Sequence, residues 1–138
     1  MADIHPQLLN DCHVLGRFTL CHLLLSNDSN YPWFILVPDR EHVSEIFQLP
    51  RQDQAQLLTE SSLLSAHLMS RFKGDKLNVA ALGNVVPQLH VHHIVRFKTD
   101  PAWPAPIWGR LSAKPYSDDE LSELMQQLDI EALPGFSS

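Results

Sequence analysis

At 138 residues with 44% hydrophobic side chains, the chain is long enough to bury one core and too short for two, so a single domain over 1–138 is expected. The formal net charge of −6 leaves no basic face with which to displace counterions from a phosphate backbone, which excludes a general nucleic-acid binder. Cys12 and Cys21 are too few for a disulfide framework, Asp3 stands where a signal peptide carries positive charge, and no apolar run approaches the roughly 20 residues of a membrane helix, so a cytoplasmic protein without a membrane partner is expected.

Residues 14–25 mix alternation with β-forming side chains and end at the turn cluster Ser26-Asn27-Asp28-Ser29-Asn30, which predicts one strand and a loop. Tyr31–Val37 predicts a second strand, closed by Pro38-Asp39 and paired with the first. From Pro50 the period lengthens. Leu57, Leu58, Ser61, Leu64, Ser65, Leu68 and Phe72 share one helical face, Asp53 suits the helix N-terminus and Lys73-Gly74 closes it. Lys76–Ala81 predicts a third strand, Leu82-Gly83-Asn84 a turn, and Val85–Phe97 a fourth strand.

Asp100–Gly109 is too rich in proline and aromatic residues for regular structure and predicts an ordered, packed loop. Ser117 caps a last helix, with Glu120 at the capping-box position and Leu121, Leu124, Met125 and Leu128 as its buried stripe. This order is that of an α+β fold: a mainly antiparallel sheet of about five strands with one long helix and a C-terminal helix. Its core spans about 15–110, and the helical extension about 117–129.

Gln88-Leu-His-Val-His-His-Ile-Val95 places three of the eight histidines in four positions of the fourth strand. Alternation puts Gln88, His90 and His92 on one face, continued by Arg96 and Lys98, and Leu89, Val91, His93 and Val95 on the other. Arg96 and Lys98 read either as an exposed solvated edge or as contacts for outer phosphates. Three chemistries fit the row. An HxH pair is a two-ligand metal platform, although no spacing selects a third ligand from the scattered His5, His13, His22 and His42. Two satisfied imidazoles without function are a second reading. In the third, one imidazole attacks phosphorus while a backbone carbonyl fixes its tautomer, and its neighbour, about 7 Å along the strand, binds a phosphate oxygen or the leaving group.

The stretch Lys76-Leu-Asn-Val-Ala-Ala-Leu-Gly-Asn-Val-Val-Pro-Gln-Leu-His-Val-His-His-Ile-Val-Arg96 resembles the signature of the histidine triad (HIT) family of nucleotide hydrolases and transferases, with an Asn, a Gly-Asn turn and alternating histidines in order. Tyr31–Pro38 is similar to the family's preceding strand. The resemblance implies a nucleotide phosphoramidase or dinucleoside-polyphosphate hydrolase in which His90 is the nucleophile and forms a nucleotidyl-histidine. His92 contacts the α-phosphate or the leaving group. It further implies that Asn78, Gly83 and Asn84 line the phosphate side and that Asn27 or Asp28 reaches the ribose. The partners implied are a purine nucleotide or dinucleotide and a second copy of the chain, with no required metal.

Gln88 stands where the family usually has histidine, so the motif is a Gln-φ-His-φ-His variant. Glutamine neither titrates near neutral pH nor carries positive charge. An alternative is therefore a nucleotide-binding protein with little turnover, and a second alternative a metal-binding protein using His90 and His92. Val85 replaces a common hydroxyl residue. His93 falls on an apolar position and reads as a packing or interface residue. Trp103 and Trp108 read as loop anchors.

Overall fold

The computed structural model describes residues 2–138. Five strands form one antiparallel sheet: β1 (Cys12–Arg17), β2 (Cys21–Ser26), β3 (Trp33–Pro38), β4 (Lys76–Ala80) and β5 (Val91–Arg96), in the spatial order β1-β2-β3-β5-β4. Three α-helices accompany them: α1 (Pro6–Asp11), α2 (Arg51–Phe72) and α3 (Asp118–Leu128). The fold is α+β, as the order of elements predicts.

Alternation along the central strands separates two layers. Leu23, Leu25, Phe34, Leu36, Val91 and Val95 face α2 and meet its buried Leu57, Leu64, Leu68 and Phe72 in the main core. Leu24, Ile35 and Val37 point to the other face, where they pack with Leu8 of α1 and Val86. Both faces of β2 and β3 are thus covered, which is why these strands read as nearly continuous apolar runs. Each fully buried leucine contributes about 2 kcal/mol of transfer free energy.

The long helix starts and stops as its sequence requires. Lys73 takes the left-handed conformation at φ 54° and donates its N–H to the Met69 carbonyl. Gly74 follows because a Cβ there would collide with the Val95 side chain. Leu58, expected on the buried face, is 68% exposed, whereas Glu60, two positions on, is buried at 2%. On α3 the Ser117–Glu120 capping box forms, and Leu124 and Leu128 are buried.

Two strand boundaries differ from expectation. The single strand over 14–25 is two strands, β1 and β2, folded back at Phe18–Leu20. That turn has no glycine, proline or asparagine; the backbone N–H groups of Leu20 and Cys21 instead donate to the two carboxylate oxygens of Glu60, each at 2.9 Å. The strand expected over Val85–Phe97 begins only at Val91. Pro87 brings no N–H to a ladder, and the N–H of Leu89 goes to the Val43 carbonyl outside the sheet.

Candidate active site

His90 lies one residue before β5, and the ring of His92 stands 4.9 Å from it, edge-on at 70°. Both rings are buried, 7% and 6% exposed, on the sheet face opposite α2. Nδ1 of His90 is 2.7 Å from the Gln88 carbonyl oxygen. A carbonyl only accepts, so Nδ1 carries the ring proton and Nε2 keeps a free lone pair. A neutral imidazole in this state is a nucleophile or base.

His92 has the opposite tautomer. It sits on β5 across from Ile35 and Ala80, and its Nδ1 accepts a 2.9 Å hydrogen bond from the indole N–H of Trp33 on β3. Its single proton is therefore on Nε2. Trp108 meets both rings edge-on, at 5.2 Å from His92 and 6.2 Å from Trp33. Burial, reinforced by the neighbouring His90 and His93, pushes the His92 imidazole down to about 3, so it stays neutral across the ordinary pH range.

The two rings open into a cavity of about 430 Å³, a size that suits a small-molecule ligand. Leu8, Ile35, Trp33, Trp108 and the segment 82–86 give it apolar walls, and Ser26, Asp11, Cys12, Gln7 and Asn84 add polar groups. Burial, with the Asp11 carboxylate beside it, pushes the Cys12 thiol up to about 12, so it remains protonated. A larger cavity of about 660 Å³ lies between the N-terminal segment and residues 40–44, and neither ring reaches it. Among the described residues, no group of three His, Cys, Asp or Glu side chains is arranged to hold a metal ion.

Of the residues singled out in the sequence, His90, His92, Gly83 and Asn84 share the smaller cavity. Gly83 adopts φ 71°, the left-handed turn that glycine favours. The Gln88 side chain leaves the row. It accepts from the His5 N–H at 2.8 Å and donates to the Asp3 carbonyl at 2.9 Å, and only its backbone carbonyl touches His90. Asn27, Asp28 and Asn78 lie outside the lining. Asn27 accepts from the Tyr116 N–H. The Asp28 carboxylate accepts from Asn30 and from the Lys114 N–H, and Asn78 accepts from Arg96 at 2.8 Å.

Arg96 is neither a solvated edge nor a free phosphate contact. It is 2% exposed, forms a two-pronged ion pair with Asp100 at 2.8 and 3.1 Å, and lies 5.6 Å from the Trp103 ring centre. Asp100 also accepts N–H groups from Phe97, Ala102 and Trp103, which fixes the loop that carries Trp108. Lys98 is exposed. His93 faces α2, where its Nε2 is 2.7 Å from the Ser61 hydroxyl, a packing role as its register implies.

Trp33, Ser26, Asp11 and Cys12 line the cavity with no motif in the sequence to mark them, and Trp108, which reads locally as a loop anchor, joins them there. Only parity marks Trp33: it shares a strand face with Ile35, which the apolar run hides because both faces of β3 are buried.

The model of the HIT domain matches residues 7–99, and the chain belongs to the histidine triad family. Among solved structures it is similar to a histidine triad protein from Marinobacter aquaeolei VT8, with 49% identity and a TM-score of 0.91 over 95% of this chain and 97% of that one. A histidine triad protein from Bradyrhizobium japonicum is 43% identical, with a TM-score of 0.89 over 92% of this chain and 95% of that one. A histidine triad protein from Sinorhizobium meliloti 1021 is 39% identical, with a TM-score of 0.88 over 92% and 94%. No curated protein matches the chain.

Proposed function

We propose that the protein is a nucleotide hydrolase or nucleotidyl transferase that acts at an α-phosphate, as a phosphoramidase or a dinucleoside-polyphosphate hydrolase. The observation that carries this reading is the 2.7 Å hydrogen bond from His90 Nδ1 to the Gln88 carbonyl, which leaves Nε2 bare at the cavity. In the first step Nε2 attacks phosphorus, and a nucleotidyl-histidine forms as the leaving group departs. In the second, water attacks the same phosphorus and the P–N electron pair returns to Nε2. His92 supports both steps by donating from Nε2–H to a phosphate oxygen, and the backbone at Gly83 and Asn84 lies on the same cavity. The apolar walls suit a purine base.

Self-association through the free edge of β4 belongs to the same reading. That strand ends the sheet with unpaired backbone groups and a half-exposed Val79.

The test is turnover of a panel of adenosine and guanosine phosphoramidates and dinucleoside polyphosphates by the native chain and by His90→Ala. Release of nucleoside monophosphate by the native chain, abolished in the variant, is the expected result. Equal turnover by both would remove His90 from the chemistry.

A further inference from the structure

The hydrogen bond between Trp33 and His92 limits what His92 can do for a departing group. An indole N–H only donates, so Nδ1 of His92 must present its lone pair to it. A second proton on the ring would set two donors face to face, in a site already closed by Trp33 and Trp108 at 5.6 and 5.2 Å. His92 is thereby held as a neutral imidazole. Such a ring donates a hydrogen bond through Nε2–H, but it does not surrender that proton near neutral pH, because the product would be an imidazolate.

The remaining polar groups do not fill the gap: Gln7 and Asn84 are amides and Ser26 a hydroxyl, all far weaker acids than an imidazolium. The His90 Nδ1–H is held by the Gln88 carbonyl, and the Gln88 side chain is turned to the N-terminal segment. The Asp11 carboxylate accepts hydrogen bonds from Gln7 and Asn10. The Cys12 thiol, a poor acid there, gives up no proton. A leaving group in this site departs without a proton from the protein.

Resting on the nucleotidyl-transfer reading above, we propose that Trp33 is a specificity-determining positioning residue: by fixing the His92 tautomer it favours leaving groups that depart as stable anions over amines. The favoured bond is a phosphoric anhydride. His90 Nε2 forms the new P–N bond, the bond from Pα to the bridging oxygen breaks, and its electron pair stays on that oxygen. The departing phosphate carries the charge, steadied by the Nε2–H of His92. Water then attacks Pα, the P–N pair returns to His90, and the water proton is released to solvent. An amine leaving group lacks this route, because it must gain a proton as the P–N bond breaks.

The test compares kcat/KM for a dinucleoside polyphosphate and for a nucleoside 5′-phosphoramidate with an alkylamine leaving group, in the native chain and in Trp33→Phe. Nitrogen-15 spectra of the histidine rings are recorded on both. The native chain is expected to favour the anhydride by about 100-fold or more, the scale on which a positioned acid contributes. Its His92 should show an unprotonated Nδ1 and a protonated Nε2. Trp33→Phe should narrow the preference at least about tenfold, through kcat on the amine substrate, with a mixed His92 tautomer. A native chain that cleaves both classes within about tenfold, or a variant that loses both equally, overturns the proposal. If neither substrate class is cleaved by the native chain, the proposed function itself fails. The nitrogen spectra then still report whether Trp33 sets the tautomer, so the two failures are distinguishable.

Discussion

Trp33 and His92, 59 residues apart in the chain, are joined by a 2.9 Å hydrogen bond from indole N–H to imidazole Nδ1. The Nε2–H of His92 is consequently a fixed donor beside the bare Nε2 of His90. Removing it by His92→Ala is expected to slow the first chemical step by about 100-fold, as for the loss of one preorganised donor to a developing anion. Single-turnover kinetics at saturating substrate check this, and the loss should fall on kcat.

Stability should decline as the solution is acidified below about 6.5. Burial holds His92 neutral down to about 3 and His93, fully buried behind α2, neutral down to about 4, whereas both take up protons near 6.5 when unfolded. Between these limits the unfolded chain binds more protons, so the free energy of unfolding rises with pH. It is lost progressively on acidification from about 6.5, through about 4 for His93 and on to about 3 for His92. Urea denaturation at a series of pH values measures it, and His93→Phe should flatten the profile.

Gln88→Ala should separate the two jobs of that residue. The backbone carbonyl that holds His90 survives the substitution, so the nucleophile keeps its tautomer. The His5 N–H and the Asp3 carbonyl lose their partner, and the expected cost is about 1–2 kcal/mol. Denaturant midpoints read the stability change. A kcat within a few-fold of the native value is the expected outcome.

Asp100→Ala leaves the Arg96 guanidinium buried without its counter-ion. Burial works against ionisation of Asp100, but Arg96 and the N–H groups of Phe97 and Ala102 outweigh it and hold the carboxyl below its usual 3.8. The expected destabilisation is about 3–5 kcal/mol, with a raised KM because Trp108 rides on the same loop. Thermal unfolding and steady-state kinetics together check both parts.

Val79→Lys places a charge on the edge strand β4, on the face shared with His93 and away from the cavity. Light scattering should report a dimer for the native chain and a monomer for the variant. Two identical masses would count against assembly through this edge.

The sequence made the periodic elements legible. The span of α2 follows from its heptad-like apolar spacing, and α3 from the Ser117–Glu120 box. The pairing of His90 with His92 survives even though His90 lies just outside the strand: the two rings stand 4.9 Å apart. What stayed hidden depends on partners distant in the chain. The Phe18–Leu20 turn is built by Glu60 from the long helix, so no local residue announces it. Trp33 reaches His92 only through the register of β3 on β5. Asn27, Asp28 and Asn78 have the right chemistry for a ligand and the right order in the chain, yet each is already bonded to a neighbouring backbone or guanidinium group.

In the proposed reaction His90 Nε2 carries the nucleotidyl group. This role is tested most directly by mixing the protein with a labelled nucleoside polyphosphate, quenching within milliseconds and mapping the label by mass spectrometry under conditions that spare a P–N bond. One nucleoside monophosphate is expected on the peptide that contains residues 88–93, with fragmentation placing it on His90. Label on His92, or substrate turned over with no covalent intermediate at any time point, would contradict it.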